Sequence, residues 1–190
     1  MINIVIFGPP GAGKGTQSAK LKDKFGLIHI STGDVFRGLN PESDLAKLAK
    51  SYSDQGNLVP DEITIKILES EVSKYPDAAG VIYDGFPRTE AQAVALDAFL
   101  KSKNTSISMA LALEVEENEL RDRLKNRALD SGRPDDADPA IIQNRIDVYN
   151  AQTAPVADFY KKQGKYVGIN GVGSISDIFD RLCSAVQEKA

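Results

Sequence analysis

Nine residues near the amino terminus, Gly8-Pro9-Pro10-Gly11-Ala12-Gly13-Lys14-Gly15-Thr16, have the types and spacing to hold a chain of phosphates. Glycines let a backbone turn its N–H groups toward anionic oxygens, and a helix N-terminus adds unpaired donors and partial positive charge. A lysine placed there neutralises β and γ phosphates, and a hydroxyl residue sits near a magnesium ion. The motif requires a strand before it and a helix after it. Both are expected here, a strand at 2–7 and a helix from 16. The loop departs from G-x-x-x-x-G-K-[ST] in one place. Residue 15 is glycine, and the hydroxyl comes one position later, at Thr16.

Short Ile- and Val-rich runs at 2–7, 27–30, 81–83, 107–113 and 166–169 read as five buried strands. Amphipathic patterns at 16–25, 63–74, 90–101, 116–128 and 141–150 fall between them as helices. A last helix is expected after Ser176, capped by Ser176-Asp177 and running to about residue 189. This alternation predicts an α/β fold, a five-stranded parallel sheet with helices on both faces, and the Gly8–Thr16 loop, which resembles that of P-loop NTPases, implies their three-layer arrangement. Residues 31–60 hold two helical pieces, 34–39 and 42–55, too much chain for a bare crossover, and read as a small inserted lobe. Asp34 reads as a helix cap there. The segment 129–139, with Gly132, Pro134, Pro139 and four aspartates, reads as a polar loop between helices.

The 190 residues suit one domain able to bury its own core. A single cysteine, Cys183, excludes an intrachain disulfide and a zinc site built on several cysteines, and is expected on a helix as a core contact. The net charge of −4 argues against broad attraction to nucleic acid. No signal peptide or membrane span is legible, so a soluble cytoplasmic protein is expected. The one histidine, His29, lies in a strand pattern and reads as structural.

Arginine suits phosphate recognition because its planar fork pairs two oxygens and keeps its proton. Six of the eight arginines, Arg37, Arg88, Arg123, Arg127, Arg133 and Arg145, fall beside recognisable blocks or on one helix. Arg123 and Arg127 are four apart and share a helix face, where like charges cost roughly 0.2–0.5 kcal/mol unless an anion neutralises them. On the helix alone they read rather as a solvated charged face. Arg37 equally suits a helix surface. Arg88 follows a buried strand and faces the crevice where open α/β sheets bind ligands. Asp84 ends that strand, as a turn residue or as a carboxylate that orders magnesium through water.

Gly13-Lys14-Gly15-Thr16 with Gln17 resembles the adenylate kinase family. So do Ser31-Thr32-Gly33-Asp34 with Arg37, Asp84-Gly85-Phe86-Pro87-Arg88 with Gln92, and Ser131-Gly132-Arg133-Pro134-Asp135-Asp136 with Arg145. These blocks occur in the family's order and spacing from end to end, and residues 55–62 add a weaker match. The resemblance implies reversible transfer of the ATP γ-phosphoryl group to AMP, giving two ADP. It implies Mg²⁺ as the cofactor, no structural zinc, and a monomer whose partners are ATP, AMP and ADP. It places ATP on Gly11, Ala12, Gly13, Lys14, Gly15, Thr16, Arg123, Arg127 and Gly173. It places AMP on Thr32, Arg37, Asn57, Leu58, Val59, Gly85, Phe86, Pro87, Arg88, Gln92, Arg133 and Arg145. Lys14, Arg88, Arg127, Arg133 and Arg145 would be catalytic, with Thr16 and Asp84 serving the metal. The implied organisation is one kinase domain, 1–190: a core of 1–30, 61–127 and 138–190, a monophosphate-binding lobe of 31–60, and a short lid of 128–137. Thr32 stands where related UMP/CMP kinases usually carry alanine, which with Gln92 favours AMP.

Other classes fit less well. A regulatory GTPase would need Asn-Lys-x-Asp, which is missing, and Asp84-Gly85 is not its Asp-x-x-Gly. A shikimate-type kinase suits six arginines and two covers less well than an enzyme for two nucleotides, and a non-catalytic nucleotide binder predicts ATP binding without phosphoryl transfer. No catalytic base is expected, because a phosphate oxygen is already anionic and transfer rests on positioning and charge stabilisation.

Overall fold

In the computed structural model, which describes residues 1–131 and 134–189, five parallel strands form one sheet in the order β2-β3-β1-β4-β5. They are β1 (Ile2–Phe7), β2 (Ile28–Ser31), β3 (Gly80–Asp84), β4 (Met109–Glu114) and β5 (Tyr166–Asn170). Alternation along β1 divides the core. Ile4 and Ile6 face helices α1 (Lys14–Phe25) and α9 (Ile175–Lys189), packing with Leu21, Ile178, Leu182 and Val186. Val5 and Phe7 face the other way, against Leu68 of α4 (Asp61–Val72), Leu96 and Leu100 of α5 (Glu90–Ser102), and Val156 and Tyr160 of α8 (Val156–Lys162). Burial on both faces is what a parallel sheet requires, and it explains the unbroken apolar runs.

Between β2 and α4 lie α2 (Thr32–Arg37) and α3 (Asp44–Ser53). After β4 come α6 (Glu117–Ser131), a 3₁₀ turn (Pro134–Asp136) and α7 (Pro139–Val148), with Leu124, Ile142 and Ile146 forming a small separate cluster. The strand order reverses at β1, whose neighbours are β3 and β4. The register aligns Ile6 with Asp84, and Ser31 with Asp84, so three motif blocks leave the same edge of the sheet. Open α/β sheets bind ligands outside the carboxyl ends of their strands at such a reversal.

The structure corrects several expectations. The helix α1 begins at Lys14, not 16, because the loop supplies its first turn: Gly13 is the N-cap at φ 92°, and Gln17 N–H donates to the Gly13 carbonyl at 3.1 Å. A positive φ there is open to glycine at little cost. The cap of α2 is Ser31, whose hydroxyl accepts from Asp34 N–H, so Asp34 is not the cap. The last helix is capped two residues earlier than expected. Ser174 Oγ accepts from Asp177 N–H at 3.1 Å, and Asp177 Oδ2 accepts from Ser174 N–H at 3.0 Å, a reciprocal capping box. Residues 129–131 continue α6 instead of opening a loop. The sequence reading missed α8 altogether. It is seven residues long, and its signal is only the pair Val156 and Tyr160, four apart and both buried. A π turn, Tyr149–Thr153, precedes it, closed by Ala154 N–H donating to Tyr149 O at 2.8 Å.

Leu182 is fully buried between α9 and the sheet. Leu182→Ala is expected to cost about 2–5 kcal/mol through lost burial and a residual cavity, read as a lower urea midpoint with unchanged m-value.

Candidate active site

A cleft of about 550 Å³ opens at the carboxyl edge of the sheet. Lys14, Thr32, Arg37, Asn57, Leu58, Val59, Gly85, Pro87, Arg88, Gln92 and Arg145 all line it, brought together from four stretches of sequence. Phe86 packs beneath, 1% exposed in the core behind β3. Of the remaining loop residues, Gly11, Ala12 and Gly13 lie between β1 and α1, and Gly15 and Thr16 sit in the first turn of α1. Arg133 lies outside the described residues.

Lys14 curls back over its own loop, donating to the carbonyls of Gly8 at 2.8 Å and Pro9 at 3.3 Å. Burial lowers its pKa to about 8, with Arg88, Arg145 and Arg127 pushing the same way and Asp84 opposing them. A cation that is costly to keep protonated is a cation waiting for an anion. Arg88 is held below the usual guanidinium range by burial and by the charge of Arg145. Its Nε donates to the Gly85 carbonyl at 2.7 Å. Gly85 has φ 74°, and a Cβ there would meet Arg88 Nη2 at 2.8 Å and Thr32 Oγ1 at 3.1 Å. The close approach of Arg88 to the backbone therefore requires glycine. Thr32, 3% exposed, donates its hydroxyl proton to the same Gly85 carbonyl at 2.9 Å.

The sequence reading quoted Asp136 in its lid block but gave it no role of its own. It is buried, and it accepts from Arg127 through two bonds, Nε at 2.5 Å and Nη2 at 2.7 Å. It also accepts from Arg145 Nη1 at 2.6 Å. Burial alone would raise its carboxyl pKa, but the two guanidiniums outweigh burial and hold it below the usual range. Asp135 adds a second carboxylate to Arg145 at 3.0 Å. The signal was present as Asp135-Asp136 after Arg127, but adjacency in sequence does not say which aspartate turns inward.

Several residues do not line the cleft, Arg123, Arg127 and Asp84 among them. Arg123 Nη2 donates to the Gly171 carbonyl at 2.9 Å, which brings it to the loop carrying Gly173. Arg181, which the sequence reading did not single out, braces that loop from α9 by donating to the carbonyls of Asn170 and Val172, each at 2.7 Å. Asp84, 6% exposed, contacts His29 Nε2 at 3.2 Å, so the single histidine supports a candidate metal residue. Arg37 pairs with Asp34 at 2.5 Å on the exposed side of α2. Gln92, 1% exposed, is no surface residue. The inserted segment touches α7 directly: Asn144 Nδ2 donates to the Gln55 carbonyl at 2.6 Å and to Asn57 Oδ1 at 3.0 Å.

A family model described as adenylate kinase matches residues 6–165. The adenylate kinase of Flavobacterium psychrophilum is 51% identical over 187 residues, covering 98% of both chains. That of Bacteroides fragilis is 50% identical with the same coverage, and that of Maricaulis maris is 42% identical over 99% of this chain and all of its own. The chain belongs to the adenylate kinase family. It is accordingly a nucleotide-binding phosphotransferase of the nucleoside monophosphate kinase type. Among the described residues no helix is long and apolar enough to cross a membrane.

Because Lys14 has a pKa of about 8 when free, a bound triphosphate should return its proton. Calorimetry of ATP binding in two buffers of different ionisation enthalpy is expected to show proton uptake at pH 9 and little from this group at pH 6.5. For Asp136 the sign is opposite. Its stabilising effect is present above the unfolded carboxyl value of 3.8 and is lost as pH falls through its lower folded value. Asp136→Asn should lower stability at pH 7 by roughly 1–3 kcal/mol and flatten the acid limb of a denaturation-versus-pH curve.

Proposed function

We propose that this chain catalyses reversible, Mg²⁺-dependent transfer of the ATP γ-phosphoryl group to AMP, yielding two ADP. One observation carries the reading: Lys14, Arg88 and Arg145 line a single cleft next to the phosphate loop, with Arg127 close enough to depress the lysine. A hydrolase needs one anion site, whereas transfer between two phosphate groups needs cations on both sides of the moving group. Names of relatives at 42–51% identity support the choice of adenine nucleotides.

In this mechanism the attacking AMP oxygen is already ionised, so no side chain must remove a proton. Lys14 leaves the Gly8 and Pro9 carbonyls for the β and γ phosphates of ATP. Arg88 holds the AMP phosphate, with its Nε anchored on Gly85. Arg127, Arg133 and Arg145 close on the transferring group, where their fixed positive charge counts for more than in water. Arg123 and Gly173 flank the ATP base, and Thr32, Arg37 and residues 57–59 surround AMP. Segments 31–60 and 128–137 act as covers that exclude water while the core stays fixed.

Thr16 and Asp84 offer a hydroxyl and a carboxylate, the hard oxygen donors magnesium prefers. Asp84 Oδ2 lies 3.8 Å from where a Cβ on Gly15 would stand, so the carboxylate borders the phosphate loop and the residues fit the ion. Bound there, largely through water, magnesium would neutralise phosphate charge. A monomer is the reading that the family resemblance implies, and the single, buried cysteine suits a reducing compartment such as the cytoplasm.

The decisive experiment mixes the protein with ATP and magnesium and offers AMP, CMP, UMP, GMP or shikimate in turn, measuring ADP. AMP is expected to give the highest kcat/KM. A better turnover with any other acceptor would overturn the choice of substrate.

A further inference from the structure

The side-chain amide of Gln92 is held from two sides. Its Oε1 accepts from the Arg88 backbone N–H at 2.7 Å, and its Nε2 donates to Asp61 Oδ1 at 2.8 Å. A backbone N–H only donates, and a carboxylate only accepts. Reversing the amide would set two donors against each other at Arg88 and two acceptors against each other at Asp61. One orientation is therefore allowed. Asp61 Oδ1 also accepts from the Thr89 hydroxyl at 3.1 Å, and that hydroxyl, the N-cap of α5, accepts from Gln92 N–H at 3.2 Å. The ring Asp61–Thr89–Gln92 is closed. Thr153, whose hydroxyl donates to the Arg88 carbonyl at 2.8 Å, steadies its remaining side.

Gln92 lines the cleft, whereas Asp61 is not among the described residues that do. After its two internal bonds, Gln92 keeps one Nε2 hydrogen and one Oε1 lone pair. That donor–acceptor pair matches the edge of a 6-aminopurine, where N1 accepts and the amino group donates. A 6-oxopurine presents the reverse, with N1–H donating and O6 accepting, and would leave both amide groups opposed. Polar groups left unpaired in a dry site are what give strong discrimination.

We infer that Asp61 is a positioning residue for base selection: by locking the Gln92 amide, it makes the acceptor site prefer a 6-amino over a 6-oxo purine monophosphate. The inference rests on the reading of the cleft as the monophosphate site. A purely structural part for Asp61 is the alternative, since it is an acidic residue in the first turn of α4, where it complements the helix dipole. The structural part predicts lost stability with unchanged selectivity.

Steady-state kinetics with ATP and either AMP or IMP separate the two. For Asp61→Ala the KM for AMP is expected to rise about tenfold with kcat within about threefold, and the AMP-to-IMP ratio of kcat/KM to fall at least about tenfold. Asp61→Asn, which keeps an acceptor oxygen, should restore the ratio to within about threefold of the unmodified protein. Should the alanine variant fold poorly, Asp61→Ser serves in its place: it suits a helix start but can donate as well as accept, so it also releases the lock. A folded alanine or serine variant with the original AMP-to-IMP ratio would overturn the inference while leaving the proposed function standing. An unmodified protein that shows no preference for AMP would overturn the reading of the cleft itself.

Discussion

Lys14, Arg88, Arg127 and Arg145 feel one another's charge at the carboxyl edge of the sheet, and keeping them there without a phosphate is the constraint on which the rest of the structure depends. Lys14 and Arg88 are desolvated, and the charge of Arg145 adds to the cost of both. The protein offsets this in three ways. Lys14 borrows backbone carbonyls of its own loop, Arg88 borrows the Gly85 carbonyl, and Arg127 and Arg145 share the buried Asp136. All three arrangements use acceptors that phosphate oxygens can replace. The free protein is therefore a set of cations provisionally satisfied by its own oxygens. In the proposed reaction, binding two nucleotides exchanges those partners for stronger ones.

The backbone makes this possible. Parallel strands all end on one side, and the register that places Ile6 beside Asp84 and Ser31 beside Asp84 sets the phosphate loop, the Asp84–Arg88 turn and the start of α2 side by side. Gly85 then lets Arg88 approach the main chain more closely than any Cβ would permit. The asparagine contacts from Asn144 to Gln55 and Asn57 tie the inserted segment to α7, the helix that carries Arg145.

Selectivity is a separate layer. In the proposed reaction the cationic cluster would bind phosphate and carry no information about the base. Base reading would fall to neutral groups with fixed donor and acceptor directions, and Gln92 has its directions fixed by Asp61 and the Arg88 N–H. Arg88 would then serve both layers, its side chain through phosphate and its main chain through the amide.

The motifs carried much of this in plain view. Strand-like runs, the Gly8–Thr16 loop and the arginine blocks foretold a parallel α/β sheet, and eleven of the expected site residues line one cleft. These features are local: they depend on residue type and short spacing, which hydrophobic periodicity and loop chemistry express directly. What the sequence could not decide were choices made by tertiary competition. Ser31 and not Asp34 caps α2, and Ser174 and not Ser176 begins the box of α9, because the cap falls where neighbouring strands deliver the chain. Helix α8 is too short to announce itself and exists because Val156 and Tyr160 find the sheet. Asp136 and Asp61 fall inside motif blocks, but the sequence assigned neither a part. Only burial against particular arginines, and against one face of one glutamine, gives each its part, since an acceptor's role is set by the donors that folding places around it.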